Sequence, residues 1–233
     1  MDKKTLILID GSSLMYRAFH AVPASFITSK GLPTNAVYGF TQSILKIINE
    51  YKPAYLAVAF DVKGPSFRME IYSGYKANRP PMPDALSLQV PYIKKILHAM
   101  NIRCIEKQGF EADDVMATIV KNVEEEGIAE EGNTLLFDVK IAIVTGDKDM
   151  YQLISNDTVV LDYLSGKEYG PEEVVEKFGV APSAIKDLLA LAGDSCDNIP
   201  GVKGVGPKTA VKLLKEYGTL DALYANIDSV RNE

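Results

Sequence analysis

Three short apolar runs each break off at an aspartate: 5-TLILID-10, 55-YLAVAFD-61 and 140-KIAIVTGD-147. Continuous Ile, Val, Leu and Ala without polar alternation mark strands covered on both faces, which is the situation in a parallel sheet sandwiched by helices. Stretches at helical period lie between them, 36-AVYGFTQSILKIINEY-51 and 114-DVMATIVKNVEEE-126. The expected fold class is therefore α/β, a central, mostly parallel sheet flanked by helices. Ligands of such sheets gather at the carboxyl ends of the strands. Here those ends carry Asp10, Asp61 and Asp147, with Asp149 two residues on.

The stretch 109-GFEADDVMA-117 crowds Glu111, Asp113 and Asp114 into four positions with no Lys or Arg beside them. At an effective dielectric of about 20, each like-charge pair roughly 5 Å apart costs on the order of 3 kcal/mol. The pattern reads as a loop entering a helix after a short strand over 102–106, which delivers the three acids to the same sheet edge. A further group, 193-GDSCDN-198, follows the helical 184-AIKDLLALA-192 and adds Asp194 and Asp197. One aspartate after a strand is commonly a turn or a cap, but five segments sharing the habit need another cause. Oxygen ligands without His or Cys suit hard cations, Mg²⁺ or Mn²⁺. Nine carboxylates exceed what one ion uses, so two ions roughly 4 Å apart are expected, the arrangement that serves phosphodiester hydrolysis. Such ions would cancel the repulsion.

The rest of the composition narrows the setting. With 233 residues, 47% of them hydrophobic, the chain can fill one large core with a small appendage. Cys104 and Cys196 are the only cysteines, too few and too far apart for a disulfide framework or a zinc knuckle. The apolar LILI is too short for a signal-peptide core, and no run approaches the roughly 20 residues of a membrane span, so a soluble, cytoplasmic protein is expected. A net charge of -6 argues against an anionic partner only if the charge is evenly spread. With nine of the 31 acids gathered in one pocket, the 25 Lys and Arg outnumber the acids left elsewhere, and that surface can accept a phosphate backbone.

Two segments point to DNA. In 63-KGPSFRMEIYSGYKANRPPMPD-84, Lys63, Arg68, Lys76 and Arg79 interleave with Phe67, Tyr72 and Tyr75, the mixture that single-strand binding uses. In 199-IPGVKGVGPKTAVKLLKEYG-218, Gly201, Gly204 and Gly206 make a tight turn before a helix bearing Lys208, Lys212 and Lys215. A nucleotide-binding P-loop needs G-x-x-x-x-G-K-[ST] straight after a strand. Here Pro207 separates Gly206 from Lys208 and a helix precedes, so the reading is a helix-hairpin-helix gripping a DNA backbone without reading sequence.

The segments 58-VAFDVKGPSFRMEIYSGYKANR-79, 109-GFEADDVMA-117, 145-TGDKDMYQL-153 and 193-GDSCDNIPGVKGVGPKTA-210 closely resemble the 5'-nuclease domain of bacterial DNA polymerase I, in the flap endonuclease family. The resemblance covers nearly the whole chain. It implies a nuclease core over 1–175 with a helical arch at about 63–100, and a helix-hairpin-helix region over 176–233. The implied activity is 5'-3' exonuclease and 5'-flap endonuclease cleavage in replication, including RNA primer removal, and in repair. The partners are DNA with a 5' flap, nick or RNA-primer end, and a polymerase, fused or separate. By matching position, Asp10, Asp61, Glu111, Asp113 and Asp114 serve a first Mg²⁺, directly or through water, and Asp147, Asp149, Asp194 and Asp197 a second. Arg68, Tyr75 and Lys76 act on the scissile phosphate. Arg79, Gly201, Lys203, Gly204, Gly206, Lys208 and Thr209 face DNA, and the hairpin around Val202 and Val205 resembles one that holds K⁺ in some family members.

There are departures. Cys196 stands where related sequences usually carry Ser, residues 127–138 look like an inserted surface excursion, and the chain ends at Glu233, short of where the family's nuclease domain runs. Lone His20 and His98 are expected to be structural. An aspartyl-phosphate phosphatase also starts from an aspartate after its first strand, but Ser12 stands where its second Asp belongs. A catalytically silent junction-binding module is the other rival, and nine repelling carboxylates offer such a binder little.

Overall fold

The computed structural model describes residues 4–129, 135–136, 139–162 and 165–230. The elements run β1 (Lys4–Asp10), α1 (Gly11–Ala21), α2 (Asn35–Tyr51), β2 (Tyr55–Ala59), α3 (Phe67–Ile71), α4 (Asp84–Ser87), α5 (Val90–Ala99), β3 (Arg103–Ile105) and α6 (Ala112–Glu126). They continue with β4 (Ile128–Ala129), β5 (Leu135–Leu136), β6 (Val139–Val144), a 3-10 turn over Lys148–Leu153, β7 (Thr158–Asp162), β8 (Lys167–Tyr169), α7 (Pro171–Phe178), α8 (Ile185–Ala192), α9 (Pro207–Tyr217) and α10 (Leu220–Ala225). The excursion expected over 127–138 lies largely outside the described residues; its described parts pair as the small antiparallel β4–β5 ribbon.

The main sheet has the order β3-β2-β1-β6-β7-β8, with every pair parallel except β7–β8. Both faces are covered. Leu6 and Leu8 of β1, with Ile141 and Ile143 of β6, pack into one core beneath α6, α8 and α9. Ile7, Ile9 and Val144 pack into the other, against Phe40, Ile44 and Ile47 of α2 and Ile93 and Leu97 of α5. This double burial is why the strands read as unbroken apolar runs. Within the range expected as arch, α4 and α5 bury Leu86, Ile93 and Leu97 completely and pack into the second core.

The chain fills one side of β1 first and the other side afterwards, so its direction reverses between β1 and β6, where open α/β sheets bind ligands. Register fixes what lies there. Asp10 pairs with Ala59, two residues before Asp61, and Ile9 pairs with Val144, three residues before Asp147.

Candidate metal centre

The carboxyl edge opens into a pocket of about 380 Å³ lined by Asp10, Asp61, Asp113, Asp147, Asp194 and Asp197, with Lys76, Arg79 and Lys148. Backbone geometry delivers each acid. Asp10 caps α1, accepting from the Ser13 N–H at 2.8 Å and from Thr145 Oγ1 at 2.9 Å. Asp61 Oδ1 accepts from the Ala112 N–H at 2.8 Å, tying β2 to the start of α6. Asp147 accepts from the Asp149 N–H at 2.9 Å and so starts the 3-10 turn. Asp194 and Asp197 sit in a turn closed by paired 2.8 Å bonds between the backbones of Asp194 and Ile199.

The remaining predicted acids lie around this pocket. Glu111, 8% exposed, accepts from Ser66 Oγ at 3.1 Å, the Tyr75 hydroxyl at 2.8 Å and Lys76 Nζ at 2.8 Å. Asp114 points away toward Arg68, whose guanidinium grips both carboxylate oxygens at 2.7 Å. Its Oδ2 also accepts the Glu111 N–H at 2.9 Å. Asp149 packs behind, in a niche shared with Arg68, Tyr75, Asp194 and Asp197.

Side-chain cations therefore answer part of the crowding assigned to metal alone. Arg68 pairs with Asp114, Lys76 with Glu111, Arg79 with Asp197, and Lys148 with Asp194 at 2.7 Å. Four cations against nine carboxylates leave the site strongly negative, and three acids that form no ion pair among the described residues sit above the ordinary carboxylate pKa. Burial pushes Asp10 up to about 6, opposed by its Ser13 and Thr145 bonds and reinforced by Asp61 and Asp147. Burial takes Asp113 to about 7, and burial with the charges of Asp147, Asp194 and Asp197 does the same to Asp149.

The arch base is anchored. The Lys76 N–H donates to the Asp197 carbonyl at 2.9 Å, Asn78 Nδ2 to the Ser195 carbonyl at 2.8 Å, and Asn198 Nδ2 to the Gly74 carbonyl at 2.7 Å. These bonds hold Lys76 at φ +54°, a left-handed backbone that costs a residue with a Cβ roughly 1–2 kcal/mol. Tyr75, expected among the aromatic faces for bases, is instead buried with its hydroxyl shared between Glu111 and Asp197. Phe67 and Tyr72 are exposed.

In the hairpin, α8 packs on α9 and the backbone crosses itself closely. A Cβ on Gly201 would lie 2.4 Å from the Gly193 nitrogen. Gly204, at φ +85°, and Gly206 face open space, with Lys203, Lys208 and Thr209 exposed beside them. Neither His20 nor His98 lines the pocket. Thr145, Ser12, Ser66 and Lys148 escaped the sequence reading. Thr145 and Lys148 fall inside 145-TGDKD-149, where an acid-centred reading overlooks the groups that orient the acids.

The donor set fits divalent cations. One oxygen each from Asp149, Asp194 and Asp197 lies within 4.8 Å of the others. Asp149 Oδ1, alone among the buried side-chain polar atoms of the described residues, has no hydrogen-bond partner. A buried acceptor left this way costs roughly 1–3 kcal/mol, a debt that a hard cation on an all-oxygen set removes.

Models for the 5'-3' exonuclease match the chain in two parts, the N-terminal resolvase-like domain over residues 5–179 and the C-terminal SAM fold over residues 180–233. The chain is 42% identical over 230 residues to a 5'-3' exonuclease of Aquifex aeolicus, covering 99% of this chain and 75% of that one. It is 45% identical over 233 residues to DNA polymerase I of Caldicellulosiruptor bescii, covering 97% of this chain and 26% of that one; it spans about a quarter of that polymerase's length. Among solved structures it is similar to T5 5'-exonuclease with bound zinc, at TM-score 0.77 and 22% identity over 99% of this chain and 82% of that one. It is also similar to the catalytic core of Rad2 in complex with DNA substrate, at TM-score 0.61 and 18% identity over 99% and 69%; at these identities the likeness is one of fold. The chain belongs to the 5'-3' exonuclease family.

Proposed function

We propose that this chain hydrolyses DNA phosphodiester bonds at junctions of double and single strand, as a 5'-3' exonuclease and 5'-flap endonuclease using two Mg²⁺, with Mn²⁺ able to substitute. The observation that carries this reading is the convergence of carboxylates from five segments at the sheet's switch point, backed by a buried Asp149 oxygen that lacks a partner. Asp10, Asp61 and Asp113 would hold one cation, with Glu111 and Asp114 in support, and Asp147, Asp149, Asp194 and Asp197 the second. When bound, such ions stabilise charge on a phosphoryl oxygen and lower the pKa of water.

The chain's own residues do the rest. Lys76 and Arg79 face the pocket and aim positive charge where the phosphate gains negative charge. Burial pulls Lys76 down, but its bond to Glu111 and the charges of Glu111 and Asp197 outweigh that and hold its pKa above the ordinary value, so it stays protonated at neutral pH. Asp114 acts through Arg68, fixing the base of α3, and Tyr75 holds Glu111 and Asp197 together. The core over 1–175 supplies most of the acids, and Asp194 and Asp197 of the region over 176–233 complete the pocket. The region over 176–233 grips duplex backbone through Gly201, Lys203, Gly204, Gly206, Lys208 and Thr209, with K⁺ held near Val202 and Val205. Nicks, 5' flaps and RNA-primer ends left by a polymerase, fused or separate, are the substrates in replication and repair.

The test is a gel comparing a 5'-flap, a nicked and a blunt duplex, with Mg²⁺, with Mn²⁺ or with chelator. Mg²⁺-dependent cleavage favouring the flap supports the reading. Junction binding without turnover in either metal supports a silent binding module instead.

A further inference from the structure

A second cleft, of about 140 Å³, opens between the 62–66 loop and the 108–111 turn. It shares Asp61, Lys76 and Arg79 with the metal pocket, and Lys63, Met69 and Phe110 also line it. Phe110 is 45% exposed, Phe67 38% and Met69 40%, an unusual amount of apolar surface beside so polar a site. The two rings are nonetheless fixed. The Phe110 ring leans on Phe67, centroids 5.6 Å apart, and Phe67 lies under the Arg68 guanidinium at 4.7 Å, itself clamped on Asp114. The Phe67 N–H donates to the Gly109 carbonyl at 3.0 Å, joining the two walls. Among the described residues Lys63, exposed on the rim, has no ion-pair partner.

We infer that this cleft is the seat of the first nucleotide on the released 5' side of the scissile phosphate, with Phe110 as the platform on which its base stacks and Lys63 meeting its 5' phosphate. Direction follows from what lines each space. Asp194, Cys196 and Asp197, which lead into the hairpin, line only the metal pocket of the two, so the duplex approaches from that side. A phosphate between Lys76 and Arg79 continues into the second cleft on the side that leaves. The cleft has room for one ring system and not for a duplex, and a fixed aromatic face accepts any base, as cleavage without sequence preference needs. This inference rests on the nuclease reading proposed above.

The experiment is single-turnover cleavage of a 5'-flap substrate carrying either a normal or an abasic first flap nucleotide, by wild type, Phe110→Ala and Phe110→Leu. Wild type should lose about tenfold in rate when that base is removed, the scale of one base–aromatic stack. Phe110→Ala should lose about as much on the normal flap and no more than about twofold further on the abasic one. Phe110→Leu, which keeps apolar volume, should melt like wild type yet show the same loss, and it carries the test if the alanine variant does not fold. Independent, multiplying losses, or no loss from either change, overturn the platform. Cleavage of the normal flap by wild type separates the outcomes, since its absence means that the nuclease reading itself has failed.

Discussion

At the scale of single residues, Asp149 sets stability against the proposed metal-binding role. Its Oδ1 is buried without a partner, and its neighbours Asp147 and Asp194 carry the same charge. Asp149→Asn removes that charge at nearly constant shape. The metal-free variant should gain about 1 kcal/mol and melt about 2–4 °C higher, while its Mg²⁺-dependent cleavage falls by roughly 100-fold or more. Thermal melting in chelator and single-turnover rates check the two halves. The pH dependence has the same origin. Asp10 rises to about 6, and Asp113 and Asp149 to about 7, from an ordinary 3.8. Between about pH 4 and 7 the metal-free folded chain therefore binds more protons than the unfolded one, and its stability falls as pH rises. Asp114 runs the other way. Burial raises it, but the Arg68 hydrogen bonds prevail and lower it, so its contribution is present above the ordinary carboxylate pKa and is lost as pH falls below it. In chelator the melting temperature should thus decline from pH 5 to 7.5. Saturating Mg²⁺ should reverse the decline, because ions that bind only the folded state favour it more as their ligands ionise.

Among the elements, the hairpin turn is fixed by a close backbone approach at Gly193 and Gly201, while buried side chains of α8 and α9 pack into the first core. Gly201→Ala sets a Cβ 2.4 Å from backbone atoms of Ala192 and Gly193, where nothing flexible can yield. A loss of about 3 kcal/mol or more in denaturant unfolding is expected. Gly204→Ala meets open space but takes a Cβ at φ +85°, so roughly 1–2 kcal/mol is expected; equal losses at the two sites would mean that the crossing is looser than described. These elements were largely legible in the sequence. β1, β2 and β6 announced themselves because double burial removes polar alternation, and α2, α6 and α8 because single-sided burial restores helical period. Edge strand β8, Lys167–Tyr169, carries no apolar signal, since it is covered on few sides. The apolar α5 lies inside the range read as arch because spacing does not say which surface an amphipathic helix covers.

On the scale of the whole molecule, the acids were readable and their partners were not. Arg68 and Asp114 are 46 residues apart, as are Lys148 and Asp194, and only folding pairs them. Tyr75 likewise looked like a surface aromatic until Glu111 and Asp197 closed over it. The same segregation of charge would let an acidic chain bind DNA as proposed. With its acids drawn into one pocket, Lys203 and Lys208 stay exposed on the hairpin. Junction affinity should fall as salt rises despite a net charge of -6. Lys208→Ala should flatten the slope of log affinity against log salt by about one without moving the cleavage site; an unchanged slope would take the hairpin out of the interface.

The most direct measurement is a count of bound Mn²⁺ by electron paramagnetic resonance on the wild-type chain and on Asp194→Asn/Asp197→Asn. The wild type should hold two ions per chain and the double variant one. Two ions in both proteins, or none in the wild type at millimolar Mn²⁺, would contradict a shared carboxylate cup at the switch point of the sheet.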